Sequence, residues 1–202
     1  MRPPARFVFS PWSTDRGPED VTARAGSPTE VAAKLAISEV LHQYCRAMDR
    51  MDAELALACW HDGGTDDHGP LYTGTAAGFV EWLWPVHAEM VLTRHMVSNT
   101  LIHVDGQRAG SECYVNVVLR VERDGQLIDI LGGGRYLDTF ECIDGVWAIR
   151  HRQYVSEWNR VEPVVSTQAM FADRPLIEQH NPERPRNPPA RDLTDPSYAV
   201  LR

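Results

Sequence analysis

The stretch VLTRHMVSNTLIHVDG, residues 91–106, decides the fold, because apolar and polar residues begin to alternate with a period of two at its start. Such alternation is typical of a β-strand with one buried face. The stretch ends in Asp105-Gly106, and the same dipeptide recurs at Asp124-Gly125 and Asp144-Gly145. Each Asp-Gly pair favours a tight hairpin turn. We therefore predict an antiparallel meander of four strands, near residues 91–104, 110–123, 126–141 and 146–158, with a bulge or bend at Gly132-Gly133-Gly134.

Helical patterns precede these strands. The tetrapeptide Ser27-Pro28-Thr29-Glu30 has the residue types of a helix start, with a serine N-cap, a proline in the first turn and a glutamate that completes a capping box. Apolar residues then recur at spacings of three and four through about residue 50. Asp52 is expected to cap a short second helix, residues 65–70 to form a loop, and residues 75–84 to form a third helix that the following proline ends. Helices followed by a meander predict an α+β domain whose helices cover one face of a curved sheet.

Proline usage marks the edges of the folded domain. Only Pro70 and Pro85 lie between positions 29 and 162, whereas five prolines precede this span and seven follow it. A folded body tolerates few prolines, because each removes a backbone donor. We expect an N-terminal extension over residues 1–27, a domain over residues 28–162 and a proline-rich C-terminal arm over residues 163–202. The arm is expected either to be disordered or to order by wrapping on the body or on another subunit.

Composition argues against several classes of partner. A formal net charge of -8 and an isoelectric point near 5.4 disfavour binding of nucleic acid or of an anionic membrane surface, since both favour clustered Lys and Arg. No stretch approaches the roughly 18 apolar residues that span a bilayer. The start of the chain lacks the pattern of a signal peptide, so we expect a cytoplasmic protein.

The sequence shows no motif for a metal or a cofactor. Its four cysteines, Cys45, Cys59, Cys113 and Cys142, lack a Cys-x-x-Cys spacing and are expected to be buried free thiols. Residues 61–62 and 66–68 contain metal-ligand residue types, but their spacing favours a solvated loop over a metal site. Rossmann, Walker and Gly-x-Ser-x-Gly patterns do not occur. We therefore predict neither a metal nor a cofactor.

Two positions combine a reactive side chain with a partly apolar setting. By strand parity, His95 shares a face with Val97 and Asn99, which suggests the wall of a lined cavity. Asp49 lies at the border of the apolar stripe of the first helix, a position that fits either a pocket rim or solvent exposure. The alternative for His95 is a structural histidine whose ring is bonded to the backbone. The pattern alone leaves these interpretations open.

Four motifs occur together in one known family: YCRAMD at residues 44–49, TRHMVSN at 93–99, GRYLD at 134–138, and DGVWAI at 144–149 followed by Arg152. With them the chain resembles the SnoaL-like family, within the nuclear transport factor 2-like (NTF2-like) superfamily, over residues 29–160. The resemblance implies a cone-shaped, curved antiparallel sheet whose N-terminal helices enclose a pocket, an NTF2-like α+β barrel. It agrees with the α+β class that the periodicity predicts.

The resemblance also implies a site. Asp49 and His95 match the Asp-His dyad of the branch that contains scytalone dehydratase, hexachlorocyclohexane dehydrochlorinase and bile-acid 7-alpha-dehydratase. Tyr44 matches a tyrosine of the bile-acid enzyme, and Arg152 resembles an arginine in the pocket of the dehydrochlorinase. We predict that His95 transfers the proton, that Asp49 orients it, and that Tyr44 steadies or protonates the departing oxygen. The residues predicted to contact the substrate are Trp60, Asn99, Tyr136 and Arg152.

The predicted function is that of a cofactor-independent lyase, a dehydratase or dehydrohalogenase, acting on a hydrophobic alicyclic or steroid-like small molecule. One alternative is an isomerase or cyclase that uses the same dyad. Another is a non-catalytic small subunit of a ring-hydroxylating oxygenase, since one fold can host all of these functions. We also expect a homo-oligomer, a trimer or a dimer.

Overall fold

The computed structural model describes residues 26–165 and 190–201. Most of the predicted N-terminal extension, and residues 166–189 of the predicted C-terminal arm, lie outside the described residues. The helices of the described chain are α1 (Pro28–Arg50), α2 (Ala53–Ala58), α3 (Ala76–Ala88) and α4 (Ser197–Val200). Its strands are β1 (Trp60–Asp67), β2 (Thr73–Thr75), β3 (Leu92–Asp105), β4 (Arg108–Arg123), β5 (Gln126–Ile143) and β6 (Val146–Pro163).

The start of α1 follows the predicted capping signal. The Ser27 hydroxyl accepts a hydrogen bond from the Glu30 backbone N–H at 3.2 Å, and Pro28 is the first helical residue. An N-cap of this kind stabilises a helix by about 1 kcal/mol. The helix ends before Met51, which has the left-handed conformation. Four residues of the predicted apolar stripe, Ile37, Leu41, Tyr44 and Met48, are fully buried, and the fifth, Val40, is half-buried.

The second and third helices follow the prediction only in part. Asp52 caps α2, because its carboxylate accepts a hydrogen bond from the Leu55 N–H at 3.0 Å. The third helix continues past Pro85 to Ala88, so its predicted end is wrong. A proline removes a single backbone donor. The helix survives here because His87, in its last turn, is buried against the core while Pro85 is exposed.

Residues 65–67 are strand, whereas their composition predicts a loop. They end β1, which pairs with β2 on one edge and runs parallel to β6 on the other. This pairing places Asp66 directly opposite Arg152, and Asp66 is 1% exposed. The predicted solvated loop is therefore wrong at these positions. Pairing on both edges overrides the low strand propensity of Gly and Asp.

The four-stranded meander is confirmed. Strands β3 to β6 pair antiparallel in chain order, with hairpins at the predicted Asp-Gly positions. Both residues of Asp124-Gly125 and of Asp144-Gly145 have positive φ, as a two-residue hairpin of type I′ requires. β1 and β2 add to the β6 edge, which gives the order β2-β1-β6-β5-β4-β3. The sheet is curved but not closed, so the α+β class is confirmed as an open cone.

Two irregularities in the β5–β6 ladder shape the face that meets the helices. The first lies at Gly133-Gly134, inside the predicted glycine bulge, where a Cβ on Gly134 would lie 2.1 Å from the Val155 carbonyl oxygen. Only glycine permits so close an approach of two strands. The second leaves Arg150 without a partner in the ladder and resets the alternation. Ile149 and Arg152 are consequently both 0% exposed.

The hydrophobic core lies between the first three helices and the sheet, and three of the four cysteines belong to it. Cys45, Cys59 and Cys113 are buried and Cys142 is half-buried, all as free thiols, which confirms the prediction for three of the four. Burial raises the pKa of Cys45 and Cys59 to about 12 and that of Cys113 to about 11. These three thiols therefore stay protonated and unreactive at neutral pH. Across residues 26–165 and 190–201, no helix has the length and apolar character needed to span a membrane.

Candidate active site

Asp49 and His95, which the sequence predicts as a pair, are in contact. His95 Nδ1 lies 2.7 Å from Asp49 Oδ1, across 46 positions of sequence. The backbone N–H of His95 donates to the same carboxylate, at 2.9 Å from Oδ2 and 3.1 Å from Oδ1. The last turn of α1 and the first residues of β3 bring the two together. The alternative interpretation, a histidine ring bonded to the backbone, is therefore wrong.

This geometry determines which nitrogen of His95 can accept a proton. A hydrogen bond from Nδ1–H to a carboxylate favours the neutral tautomer whose lone pair is on Nε2. Among the residues that the structure describes, none is hydrogen-bonded to Nε2. The side chains of His95 and Asp49 are 8% and 13% exposed, so the pair is largely buried but keeps some contact with solvent. Such an arrangement suits a general base that a carboxylate orients.

The position of Asp49 runs against the electrostatics of its own helix. It lies in the last turn of α1, where the helix dipole disfavours a negative charge by roughly 0.3–1 kcal/mol. The hydrogen bonds that His95 donates from its ring and its backbone offset this cost. A residue that departs from such a local preference, as this aspartate does at the C-terminal end of a helix, is most often found at a functional site.

A groove of about 600 Å³ opens beside the pair, between α1 and β3. Most of its lining side chains are polar or charged, because α1 turns its apolar stripe into the core and presents its polar border to the groove. The surface that these residues expose to the groove is nevertheless mostly apolar, and the predicted hydrophobic pocket stays a prediction. The lining consists of Glu39, His42, Gln43, Cys45, Arg46, Asp49, Arg50, His95, Met96, Val97 and Leu201.

The other predicted residues form a cluster inside the core. Arg152 donates from Nε and Nη2 to the two carboxylate oxygens of Asp138, each at 2.7 Å. The rings of Tyr44 and Tyr136 flank its guanidinium, with centroids 4.0 Å from Cζ, and Tyr44 also meets Trp60 edge-on at 5.3 Å. Burial raises the pKa of Tyr44 well above its ordinary value. The four predicted residues of this cluster are Tyr44, Trp60, Tyr136 and Arg152. None of them lines the groove, and their contacts with a substrate stay predictions.

Asn99 lies outside the face that His95 occupies. The β3–β4 ladder shifts between Ser98 and Leu101, and Asn99 falls in this bulge with a φ of 50° and an exposed side chain. The strand parity that placed Asn99 beside His95 therefore ends at Ser98. Alternation carries a position only as far as the next bulge, so the parity argument for Asn99 is wrong. Asn99 is not among the residues that line the groove, and its contact with a substrate stays a prediction.

A second Asp–His pair was missed by the sequence prediction. His68 Nδ1 is hydrogen-bonded to Asp66 Oδ1, and the His68 ring stacks on Phe79 and Tyr154 at centroid distances of 4.5 and 5.1 Å. Asp66 Oδ2 is buried without a hydrogen-bond partner. The Asp-x-His spacing was a usable signal, but the loop prediction for residues 65–70 concealed it. In the described residues, no group of three or more His, Cys, Asp or Glu could hold a metal ion.

Two further side chains beside His95 were not predicted. The buried His87 ring lies 6.0 Å from the His95 ring, and its Nδ1 has no hydrogen-bond partner. Burial lowers the pKa of His87 to about 3. Arg191, from the C-terminal segment, donates to the Met90 carbonyl and, at 3.3 Å, to the Thr93 hydroxyl. No local pattern marks either residue, because each reaches the site through tertiary contacts alone.

The sequence matches the family of SnoaL-like domains over residues 29–153. The matched span carries both Asp–His pairs and Arg152, and it ends before the C-terminal segment that holds Arg191. No curated protein sequence matches the chain.

Solved structures share the fold at low sequence identity. A candidate scytalone dehydratase from Novosphingobium aromaticivorans DSM 12444 is 21% identical, with a TM-score of 0.60 over 68% of this chain and 93% of its own. The hexachlorocyclohexane dehydrochlorinase LinA-type3 from Novosphingobium barchaimii LL02 is 16% identical, with a TM-score of 0.59 over 68% and 93%. A candidate aromatic ring hydroxylase from Novosphingobium aromaticivorans is 21% identical, with a TM-score of 0.57 over 69% and 96%. At these identities the likeness shows the fold alone.

Proposed function

The chain belongs to the family of SnoaL-like domains, and from that premise we propose that it is a cofactor-independent lyase whose base is His95, oriented by Asp49. The observation that carries the proposal is the 2.7 Å contact between Asp49 and His95 Nδ1, beside an open groove. Two structural neighbours whose names include dehydratase and dehydrochlorinase support the choice of an elimination reaction. The proposed substrate is a small alicyclic or steroid-like molecule with a hydroxyl or a halide to lose.

In the proposed reaction, His95 Nε2 takes a proton from the carbon next to an activating group. The electrons of that C–H bond form the new double bond, and the bond to the leaving group breaks. Asp49 holds Nδ1–H and stabilises the imidazolium that forms. A halide leaves as the anion, whereas a departing hydroxyl takes the proton back from the imidazolium. The predicted acid, Tyr44, is buried beside Arg152, so the proposal assigns the return of the proton to His95 itself.

The groove suits a substrate that carries polar substituents on an apolar skeleton. Arg46 and Arg50 of α1 provide hydrogen-bond donors along one side. Met96, Val97 and Leu201 provide apolar contacts nearby. A hydroxylated or halogenated ring system combines both kinds of surface, which narrows the predicted hydrophobic substrate to a partly polar one.

The proposal is tested by incubating the purified protein with hydroxylated and halogenated alicyclic compounds, scytalone and hexachlorocyclohexane among them. We expect mass spectrometry to detect loss of water or of hydrogen halide, and the rate to fall by at least about 100-fold in His95→Ala. His61→Ala is the matched control, because His61 is bonded to the Glu141 carbonyl at 2.9 Å and does not line the groove. An unchanged rate in His95→Ala would contradict the proposal. A product of unchanged mass would indicate the isomerase or cyclase instead.

A non-catalytic subunit of a ring-hydroxylating oxygenase is the alternative from a different functional class. It is favoured by one observation, the structural neighbour named as a candidate aromatic ring hydroxylase. The contact between the Asp49 carboxylate and the His95 ring at the groove disfavours it, since a non-catalytic subunit does not need an oriented imidazole there. Copurification with an iron-sulfur partner, together with an absence of turnover, would support this alternative. The homo-oligomer stays a prediction, which light scattering would measure.

A further inference from the structure

We propose that Arg46 binds an acidic substituent of the substrate, a carboxylate or a sulfonate, and that Ser197 and Tyr198 are positioning residues that hold its guanidinium at the groove. Both positioning residues lie in the C-terminal segment, residues 190–201, beyond the family match, which ends at residue 153. This anion site rests on the proposed function in taking the groove as the place where the substrate binds, and it narrows the class of substrate.

Arg46 is half-buried, lines the groove and contacts two neutral groups. Its Nη1 donates a hydrogen bond to the Ser197 hydroxyl at 2.8 Å, and its Cζ lies 4.3 Å from the centroid of the Tyr198 ring. Within the described part of the chain, no carboxylate lies within ion-pair distance of Arg46. A guanidinium has five N–H donors in a planar fork that matches the oxygens of an acidic group. Arg46 therefore keeps both donors and an unbalanced charge for an anionic ligand.

The two acidic side chains that line the groove with Arg46 are bonded to other groups. The Asp49 carboxylate accepts hydrogen bonds from the ring and the backbone of His95. Glu39 accepts a hydrogen bond from the Gln43 amide at 3.1 Å, and it lies two helical turns before Arg46, about 10 Å away along the helix axis. Neither carboxylate competes with a ligand for the Arg46 guanidinium.

The second arginine of the groove, Arg50, already has a carboxylate beside it. Its Nε lies 3.4 Å from Oδ2 of Asp195. The same carboxylate accepts hydrogen bonds from the backbone N–H groups of Ala190 and Ser197, at 3.2 and 3.0 Å, and so shapes the segment. Of the two groove arginines, Arg46 is therefore the one whose charge the described residues leave unpaired.

Tyr198 is tied to the helices at its hydroxyl end. The hydroxyl donates to Asp52 Oδ2 at 2.7 Å, while Oδ1 of the same carboxylate caps α2. A guanidinium over the face of a tyrosine ring is attracted to the ring. The fixed ring of Tyr198 therefore keeps the Arg46 side chain in place without balancing its charge.

Arg46 is also close to the proposed catalytic pair. It precedes Asp49 by three residues on α1, and side chains at this spacing are neighbours, with Cβ atoms about 5–6 Å apart. Met96 and Val97, which follow His95 on β3, line the same groove with apolar surface. A small molecule with an acidic group and an apolar ring can therefore contact Arg46 and the Asp49–His95 pair at once.

Two fluorescent probes with one ring skeleton test the anion site without turnover. Anilinonaphthalenesulfonate carries a single sulfonate, and N-phenylnaphthylamine lacks it. We expect the wild type to bind the sulfonate and Arg46→Gln to weaken that binding by roughly 10-fold, because charge-assisted hydrogen bonds are lost. Binding of the neutral probe should stay unchanged, which shows that the groove is intact. Arg46→Lys keeps the charge and is expected to restore part of the affinity.

Tyr198→Leu tests the positioning role. It removes the ring beside Arg46, so we expect sulfonate binding to weaken by roughly 3-fold, while Tyr198→Phe keeps the ring and most of the affinity. In the Arg46→Gln background the leucine exchange should have no further effect, because the ring acts through the guanidinium. Equal losses in both backgrounds would overturn the positioning role of Tyr198.

The matched control is Arg108→Gln. It removes the same charge from a side chain that is 83% exposed, opposite Asp105 at the far end of β3, and is expected to leave both affinities unchanged. The anion site is overturned if the wild type does not bind the sulfonate, or if Arg46→Gln binds it as tightly as Arg108→Gln. Sulfonate binding that depends on Arg46, in a protein without elimination activity, would refute the lyase and keep this inference. Elimination activity with sulfonate binding independent of Arg46 would do the reverse.

Discussion

The pairs Asp49–His95 and Asp66–His68 contain the same two groups in different surroundings. In each pair a carboxylate Oδ1 meets an imidazole Nδ1. The first pair joins a helix to a strand and borders a groove, whereas the second lies at the end of one strand, with its imidazole against aromatic rings. The Asp49 side chain is 13% exposed and that of Asp66 is 0% exposed. The exposure of the histidines does not separate the pairs, since the side chain of His68 is 12% exposed and that of His95 is 8% exposed. The difference teaches that the two residue types alone do not mark a candidate site, and that the groove beside His95 is what singles out the first pair.

The surroundings also decide what each carboxylate does for the protein. Asp66 lies opposite Arg152, and Asp138 lies opposite Arg152 on the other side, so three charged side chains form a row across β1, β6 and β5. Removing one member of a buried charge network destabilises the fold. Asp49 belongs to no such row and keeps contact with solvent. Its loss is therefore expected to affect chemistry more than stability.

The largest effect is expected for Asp49→Asn, which breaks the proposed site. The asparagine amide can donate to His95 Nδ1 and so favour the wrong tautomer of the ring. For a hydroxylated or halogenated alicyclic compound that the wild type turns over, we expect the rate to fall by roughly 10²–10⁴-fold, with little change in stability. Steady-state rates together with thermal unfolding measure both quantities. A rate equal to that of the wild type would remove the orienting role of Asp49.

Asp66→Asn is expected to lower stability and to leave activity unchanged, the opposite of Asp49→Asn. The substitution removes the charged partner of His68 inside the core, so the free energy of unfolding should fall by about 1–3 kcal/mol while activity per folded molecule is kept. Urea unfolding measures this loss, with Asp62→Asn on the exposed part of β1 as the matched control. If Asp66→Asn instead lost turnover at unchanged stability, the second pair would be the catalytic one.

The last effect appears only in the pH dependence of stability and concerns His87, a buried histidine whose Nδ1 has no hydrogen-bond partner. Burial lowers its pKa to about 3, whereas an unfolded chain binds that proton near pH 6.5. Between these values the unfolded state holds more protons, so stability is present above about pH 6.5 and falls as the pH drops, by up to about 1.4 kcal/mol per unit. His87→Phe should remove this slope. Urea unfolding between about pH 6.5 and pH 4.5 compares the two proteins, and equal slopes would contradict the assignment.

Prediction from sequence succeeded where the signal is local. Serine and aspartate caps, Asp-Gly turns and strand alternation each act over a few residues, and the described structure contains them. Prediction failed where contacts with residues distant in sequence determine the local structure. Asp66 is strand because β6 lies beside it, Pro85 stays in a helix because the core holds the next turn, and Asn99 leaves its predicted face at a bulge.

The sequence by itself determined the α+β class, the four-stranded meander and the residues of the Asp49–His95 pair, because short-range periodicity and the family motifs carry this information. Only the tertiary structure decided that Tyr44 and Arg152 lie in the core, that polar residues of α1 line the groove, and that Arg191 contacts Thr93 from a distant segment. The physical reason is that the burial of a side chain and the charges around it depend on how helices and strands pack against each other. That packing is determined by residues that lie far apart in the chain.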